Sequence, residues 1–326
     1  MRTSLTQIRQ KYAALQTERV ARRRAFDPEE ALLIFSDPRG GSTWIAEVLH
    51  HIPRTAVVWE PLHVREVPAF REIGFKWRQY IPEDAAWEAA RETFDRLFRG
   101  ALLNRWTCRV SDWRAITRAE RLLVKFVRGN ALLPWLTGQF AFRRPPVLLV
   151  RHPFAVVASQ MLYFSFEKQK TPPSQWRGFG RPPTGRFNDL FHEHAAYLKT
   201  LETLDEVLLA QWCLTTLPTL RHPANNERWL TVHYETMLLE PEAVVERIFA
   251  AWDFPVPPGV VAQLSQASST TNKATFQQGA EAQLAKWQRQ FDPEQIRRMR
   301  AVLDYFEVEV YDEGLMPRLP PGVPTA

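Results

Sequence analysis

The chain has 326 residues, 45% of them hydrophobic, and a formal net charge of +6. That apolar content is enough for a large buried core, yet no apolar run approaches the roughly 20 residues a membrane helix needs, and Met1 to Gln10 is polar, without the apolar stretch of a signal peptide. Two cysteines, Cys108 and Cys213, make neither a disulfide framework nor a zinc spacing and fit a reducing cytoplasm.

In chain order, Leu5, Ile8, Tyr12 and Leu15 fall at helical spacing and predict a first helix from Leu5 to Arg24, within an N-terminal helical arm over residues 1–30. The net positive charge favours anionic partners, but the basic residues are dispersed apart from Arg19 and Arg22-Arg23-Arg24. That cluster reads as a solvated helix end whose cations suit the C-terminal dipole, rather than as a nucleic-acid or membrane patch.

A strand-like run from Ala31 to Ser36 opens the main domain, residues 31–316, and empties into Asp37-Pro38-Arg39-Gly40-Gly41-Ser42-Thr43-Trp44. This is the sequence of an anion cradle. A helix start leaves four backbone N–H groups without partners and carries partial positive charge; Gly40 and Gly41 allow close approach, Ser42 and Thr43 add hydroxyls, and Arg39 adds a guanidinium. The ATP-type motif GxxxxGK[ST] fails here, because no Lys precedes Ser42 or Thr43 and the basic residue sits ahead of the glycines. A surface pair between Arg39 and Asp37 is the plain structural alternative.

Further strand-like runs follow at Ala56 to Trp59, Arg121 to Phe126, Val147 to Val150 and Trp229 to Val232, alternating with helical segments. Such α/β order predicts a mainly parallel sheet covered by helices on both faces, with ligands beyond the carboxyl ends of the strands. Val147–Val150 runs into Arg151-His152-Pro153, where the proline suits a first helical turn, and Arg151 and Ser159 both come within reach of one phosphate if that helix runs past it. His50 and His51 sit where the first core helix ends and read as caps. Thr171 to Gly185 is rich in Pro and Gly and reads as a long loop; with Tyr163, Phe164, Phe166, Trp176 and Phe179 it forms either a lid or a packed surface loop. Residues 317–326 carry four prolines and predict an irregular tail.

Two phosphate-type turns in this order, each at a strand-to-helix junction, resemble the PAPS-dependent sulfotransferases, which use 3′-phosphoadenosine 5′-phosphosulfate (PAPS) as donor. Pro38 to Trp44 is similar to the family's 5′-phosphosulfate loop, and Arg151 to Ser159 to its 3′-phosphate motif. Glu60-Pro61-Leu62-His63 after Val57-Val58-Trp59 is similar to the carbohydrate-type (bacterial) branch. Leu122 to Arg128, Thr231-Val232-His233-Tyr234-Glu235 and Trp287 are also family-like. The chain departs from many soluble relatives in carrying Arg39 where they have Lys, and His152 in place of an acidic residue. The missing membrane segment separates it from the anchored Golgi members.

The resemblance implies a P-loop NTPase-like three-layer fold, PAPS as donor, no metal, and a hydroxyl acceptor that is a carbohydrate or glycosylated metabolite. It places Arg39, Gly40, Gly41, Ser42 and Thr43 on the phosphosulfate and Arg151 and Ser159 on the 3′-phosphate. Trp44 either meets the adenine or fills the core, and Lys273 either closes over the donor or is a solvated loop lysine. Arg39 is suited to stabilise charge on the leaving group. For the base, Glu60 at a strand's carboxyl end is the first candidate and His63, three residues on, the rival. Tyr234 and Glu235 read as braces of the sheet. A P-loop nucleotide or metabolite kinase and a non-catalytic adenosine-bisphosphate-binding protein are the competing classes.

Overall fold

Five apolar strands, β1 (Leu32–Ser36), β2 (Thr55–Trp59), β3 (Arg121–Val127), β4 (Val147–Val150) and β5 (Leu230–His233), form one sheet in the order β2-β3-β1-β4-β5. Every pairing is parallel: Leu33 lies opposite Val124, Phe35 opposite Leu148, Val58 opposite Val124, and Leu149 opposite Val232. These strands read as near-continuous apolar runs because both faces of the sheet are covered. The structure is a computed structural model; it describes residues 23–163, 185–264 and 279–319, with Gln16, Arg19, Val20, Gln266 and Ser269 as single positions.

Alternate residues of each strand feed two separate cores. Leu33, Phe35, Val58 and Phe126 pack with Phe94, Trp135, Phe154 and the helix Leu204–Leu220 on one face. Leu32, Ile34, Val57 and Leu123 pack with Ile45, Val48, Phe249 and Trp252 on the other. The result is the expected three-layer α/β arrangement, with each strand within a residue or so of its sequence reading. Helix Leu204–Leu220 is buried almost throughout and starts on a capping box, in which Thr203 and Glu206 satisfy each other's backbone groups.

β1 lies between β3 and β4: the chain passes from β1 to β2 on one side of the sheet, and from β3 crosses over β1 to β4 on the other. A crevice opens at the carboxyl end of such a switch point. Both predicted phosphate turns follow strands that meet there.

The described residues depart from the sequence reading at one place near the start. Arg24 is not a solvated helix-end cation: its Nη2 donates to the Ala119 carbonyl and its guanidinium lies 5.4 Å from the centre of the Phe26 ring. An arginine stem packs against apolar surface while its fork finds an acceptor. Most of the predicted first helix, the loop Thr171 to Gly185 apart from Gly185 itself, and the tail beyond Leu319 lie outside the described residues. Among the described residues no helix is long and apolar enough to cross a membrane.

Candidate active site

The turn after β1 is shaped by its glycines and by a strained arginine. Gly41 stands at φ 97° as the residue before helix Ser42–Leu49, and a Cβ there would fall 2.5 Å from the Tyr234 ring. A Cβ on Gly40 would fall 2.2 Å from Ser36 Oγ, so the backbone packs closely at both positions. Arg39 is in the left-handed region at φ 70°. Its Nε donates to Ser159 Oγ at 3.1 Å and its guanidinium lies 4.5 Å from the Tyr163 ring centre. Burial and the neighbouring Arg151 push the Arg39 guanidinium below its ordinary value.

The alternative in which Arg39 pairs with Asp37 does not occur. Asp37 is buried under the turn, where its Oδ2 accepts from Thr216 Oγ1 at 2.7 Å and from Asn130 Nδ2 at 3.1 Å, and burial pushes its carboxyl up to about 6. Its backbone carbonyl accepts the Gly40 N–H at 2.9 Å. Asp37 is therefore a foundation of the loop, one that sequence reasoning missed.

The turn after β4 leans on the first. Arg151 Nη1 donates to the Arg39 carbonyl at 3.0 Å, and the Arg151 guanidinium lies 4.5 Å from the Tyr234 ring centre. Helix Pro153–Tyr163 does run past the β1 turn, which is why Ser159 meets Arg39 and Gln160 Nε2 donates to the Pro38 carbonyl. His152 caps the start of that helix: its Nδ1 accepts from the Phe154 N–H at 3.2 Å. Burial lowers this imidazole to about 4, so it stays neutral, stacked on Trp287.

Tyr234 and Glu235 do more than brace the sheet. Tyr234 wedges between Gly41 and Arg151, and its hydroxyl accepts from Gln283 Nε2 at 2.7 Å. The buried Glu235 carboxylate accepts from the His152 N–H and from the Tyr311 hydroxyl, at 2.8 and 2.9 Å. It holds the Arg151 turn from beneath.

At the end of β2, Glu60 is also left-handed, at φ 41°, with its N–H on the Lys125 carbonyl. Its partner is a lysine: Lys125 Nζ donates to Glu60 Oε1 at 3.0 Å and lies 3.5 Å from the Trp59 ring centre. Lys125 is almost wholly buried, and burial lowers its ammonium despite the attraction of Glu60. A lysine inside the apolar run Leu122-Leu123-Val124-Lys125-Phe126-Val127 was a legible signal, since such a charge needs a partner. His63 sits between Trp77 and Trp106, with ring centres at 4.9 and 4.6 Å, and its Nδ1 is buried without a partner. Burial and Arg128 push His63 below its ordinary value.

The two turns and the ends of β2 and β3 meet in one cavity of about 360 Å³, lined by Arg39, Gly41, Ser42, Thr43, Trp44, Glu60, His63, Arg151 and Ser159. Among the predicted residues, Gly40 lies beneath its floor and Lys273 lies outside the described residues. Trp44 packs into the core, one of its two expected settings, and also lines the cavity, with a buried Nε1 that has no partner among the described residues. Among the described residues, six cations line the cavity, Arg39, Arg109, Lys125, Arg128, Arg151 and Lys286, against the single carboxylate of Glu60. Such a lining favours anionic ligands.

No protein-family model and no curated protein matches the chain. Solved structures do resemble it. They include a sulfotransferase domain from the olefin synthase of Synechococcus PCC 7002, at 18% identity over 89% of this chain and 97% of that one, with a TM-score of 0.46. Mouse sulfotransferase SULT7A1 complexed with PAP matches at 14% identity over 91% and 90%, with a TM-score of 0.44. Sulfotransferase STF9 from Mycobacterium avium matches at 12% over 95% and 83%, also at 0.44. Likeness at this level assigns no activity.

Proposed function

We propose that the protein is a sulfotransferase that moves a sulfuryl group from PAPS to a hydroxyl on a carbohydrate or glycosylated metabolite, in the cytoplasm. The observation that carries this reading is the contact of Arg151 with the Arg39 carbonyl. It joins two anion-binding turns into one cradle that suits a ligand with phosphates at two separate points.

The residues present fit such a donor. The helix start at Ser42, the close-packed Gly41 and the surplus of cations suit its charges, and the unpartnered indole nitrogen of Trp44 suits a polar heterocycle. When bound, PAPS supplies the activated sulfuryl group and a phosphate leaving group.

In this reading Arg39, Ser42, Thr43 and the N–H groups behind them hold the phosphosulfate end, Arg151 and Ser159 hold the 3′-phosphate, and Trp44 meets the adenine. Arg39, fixed by Ser159, favours the state in which negative charge has built up on the leaving oxygen. Glu60 takes the acceptor's hydroxyl proton, and Lys125 keeps the carboxylate turned into the cavity. Tryptophans Trp59 and Trp106 offer faces on which a sugar ring can lie.

Thermal-shift titration with adenosine 3′,5′-bisphosphate, ATP-Mg and adenosine 5′-phosphosulfate tests this. At about 100 times its dissociation constant the bisphosphate adds about 2.7 kcal/mol of apparent stability. Replacing Arg151 erases the preference for the 3′-phosphorylated nucleotide. Equal response of the intact protein to all three ligands, or preference for ATP-Mg, overturns the reading.

A further inference from the structure

The two donor turns occupy the carboxyl ends of β1 and β4, which leaves the cavity over the ends of β2 and β3 to the acceptor. That end is aromatic and cationic. Arg109 lies 4.9 Å from the Trp106 ring centre and 5.5 Å from that of Trp59, while Arg128 lies 4.9 Å from that of Trp77. Both arginines line the cavity. Among the described residues, neither guanidinium donates a hydrogen bond or sits within 4 Å of a carboxylate, because Glu60 is committed to Lys125 and Asp37 to Asn130 and Thr216. Arg128 is moreover half-buried and held at φ 67°, an uncommon backbone for a residue with a side chain.

We propose that the acceptor is itself anionic: a ring, sugar or aromatic, that bears a carboxylate or sulfate-type oxyanion beside the hydroxyl to be modified. This rests on the reading of the cavity as a sulfuryl-transfer site and names the acceptor class it takes. Arg128 feels the charges of Glu60 and Asp37 from beyond contact distance, but a half-buried guanidinium with no direct acceptor among the described residues is costly, and the planar fork of arginine matches a planar or tetrahedral oxyanion. The tryptophan faces take the ring while Arg109 and Arg128 take its charge. A neutral sugar would cover both cations and neutralise neither.

The test uses the full chain loaded with adenosine 3′,5′-bisphosphate and compares two probes by calorimetry, 4-nitrophenyl β-D-glucuronide and its neutral twin 4-nitrophenyl β-D-glucoside. The glucuronide binds about 10-fold tighter or better, as expected for a charge-assisted contact. Arg109→Ala, at an exposed position, brings the ratio toward unity and leaves bisphosphate affinity in place, and Arg128→Lys weakens glucuronide binding while keeping the charge. If neither glycoside binds, inorganic sulfate titrated into the loaded protein serves as probe: a site lost in Arg109→Ala supports the proposal, and no such site overturns it. Equal binding of the two glycosides, or loss of bisphosphate affinity in Arg109→Ala, also overturns it while the donor reading stands. Failure of the bisphosphate itself to bind sinks the donor reading, and the acceptor class with it.

Discussion

Arg151 donates its Nη1–H to the backbone carbonyl of Arg39 at 3.0 Å, so the residue that opens the second turn holds the backbone of the first. Two loops 112 residues apart in sequence thereby become one binding surface. Coupling of this kind makes the shape of the cavity depend on both turns at once.

Arg39→Ala removes the cation and the bond to Ser159 together. By comparison with the loss of a single oxyanion donor, turnover falls by about 10²-fold or more. Bisphosphate binding weakens far less, because Arg151 and the helix start remain. Single-turnover kinetics beside bisphosphate titration separate the two effects; a variant that loses binding and rate in proportion would assign Arg39 to binding alone.

Glu60→Gln keeps an oxygen for Lys125 and so preserves the fold, but it cannot take a proton. Sulfuryl transfer drops by about 10² to 10⁴-fold with donor affinity unchanged. His63→Gln is the comparison, since that imidazole has an unpartnered Nδ1 in the same cavity. If His63→Gln is the variant that abolishes transfer and Glu60→Gln is active, the base is His63.

Gly41→Ala combines backbone strain at φ 97° with a Cβ that meets the Tyr234 ring. Gly74→Ala is a control for strain alone, because φ there is 84° with nothing within 4 Å of the added carbon. Both lose about 1 kcal/mol of stability for the conformation. Only Gly41→Ala also displaces Tyr234 from Arg151 and loses bisphosphate binding, a difference that denaturant unfolding and ligand titration read directly.

The pH dependence of stability has opposing contributions of known sign. His152 and His233 are buried and lowered from 6.5 to about 4, so the unfolded chain binds their protons first and their stabilisation, complete above pH 6.5, is lost as the pH falls toward 4. Asp37 is raised from 3.8 to about 6, so the folded chain holds its proton and acidification through that window favours the fold at this position. His152→Asn, which retains an acceptor for the Phe154 N–H, makes the rise of stability from pH 4 to pH 6.5 shallower. Asp37→Asn makes it steeper. Urea unfolding across this range checks both, and a change of slope in the same direction for the two variants contradicts the assignment.

The turn residues Arg39 to Thr43, the Arg151 turn and the strand ends were legible because local chemistry dictates them: an apolar run ends, glycine and hydroxyl residues follow, and a helix period begins. The same logic located Glu60 and His63. It did not place Arg109, Arg128 or Tyr234 in the cavity, although Tyr234 was read as a brace of the sheet, because their places depend on which strand end or loop lies opposite which other. Lys125 was legible as a charge in an apolar strand, and only its partner was hidden.

By itself, then, the amino-acid order determined the parallel α/β plan and the two strand-to-helix turns rich in glycine, hydroxyl and basic residues, since both follow from patterns a few residues long. The sheet order β2-β3-β1-β4-β5 decided the rest: that Arg151 meets the Arg39 carbonyl, that Glu60 answers to Lys125, and that Arg109 and Arg128 line the same cavity. Those relationships join residues far apart along the chain, and only the packing of strands against one another brings such residues within hydrogen-bond reach.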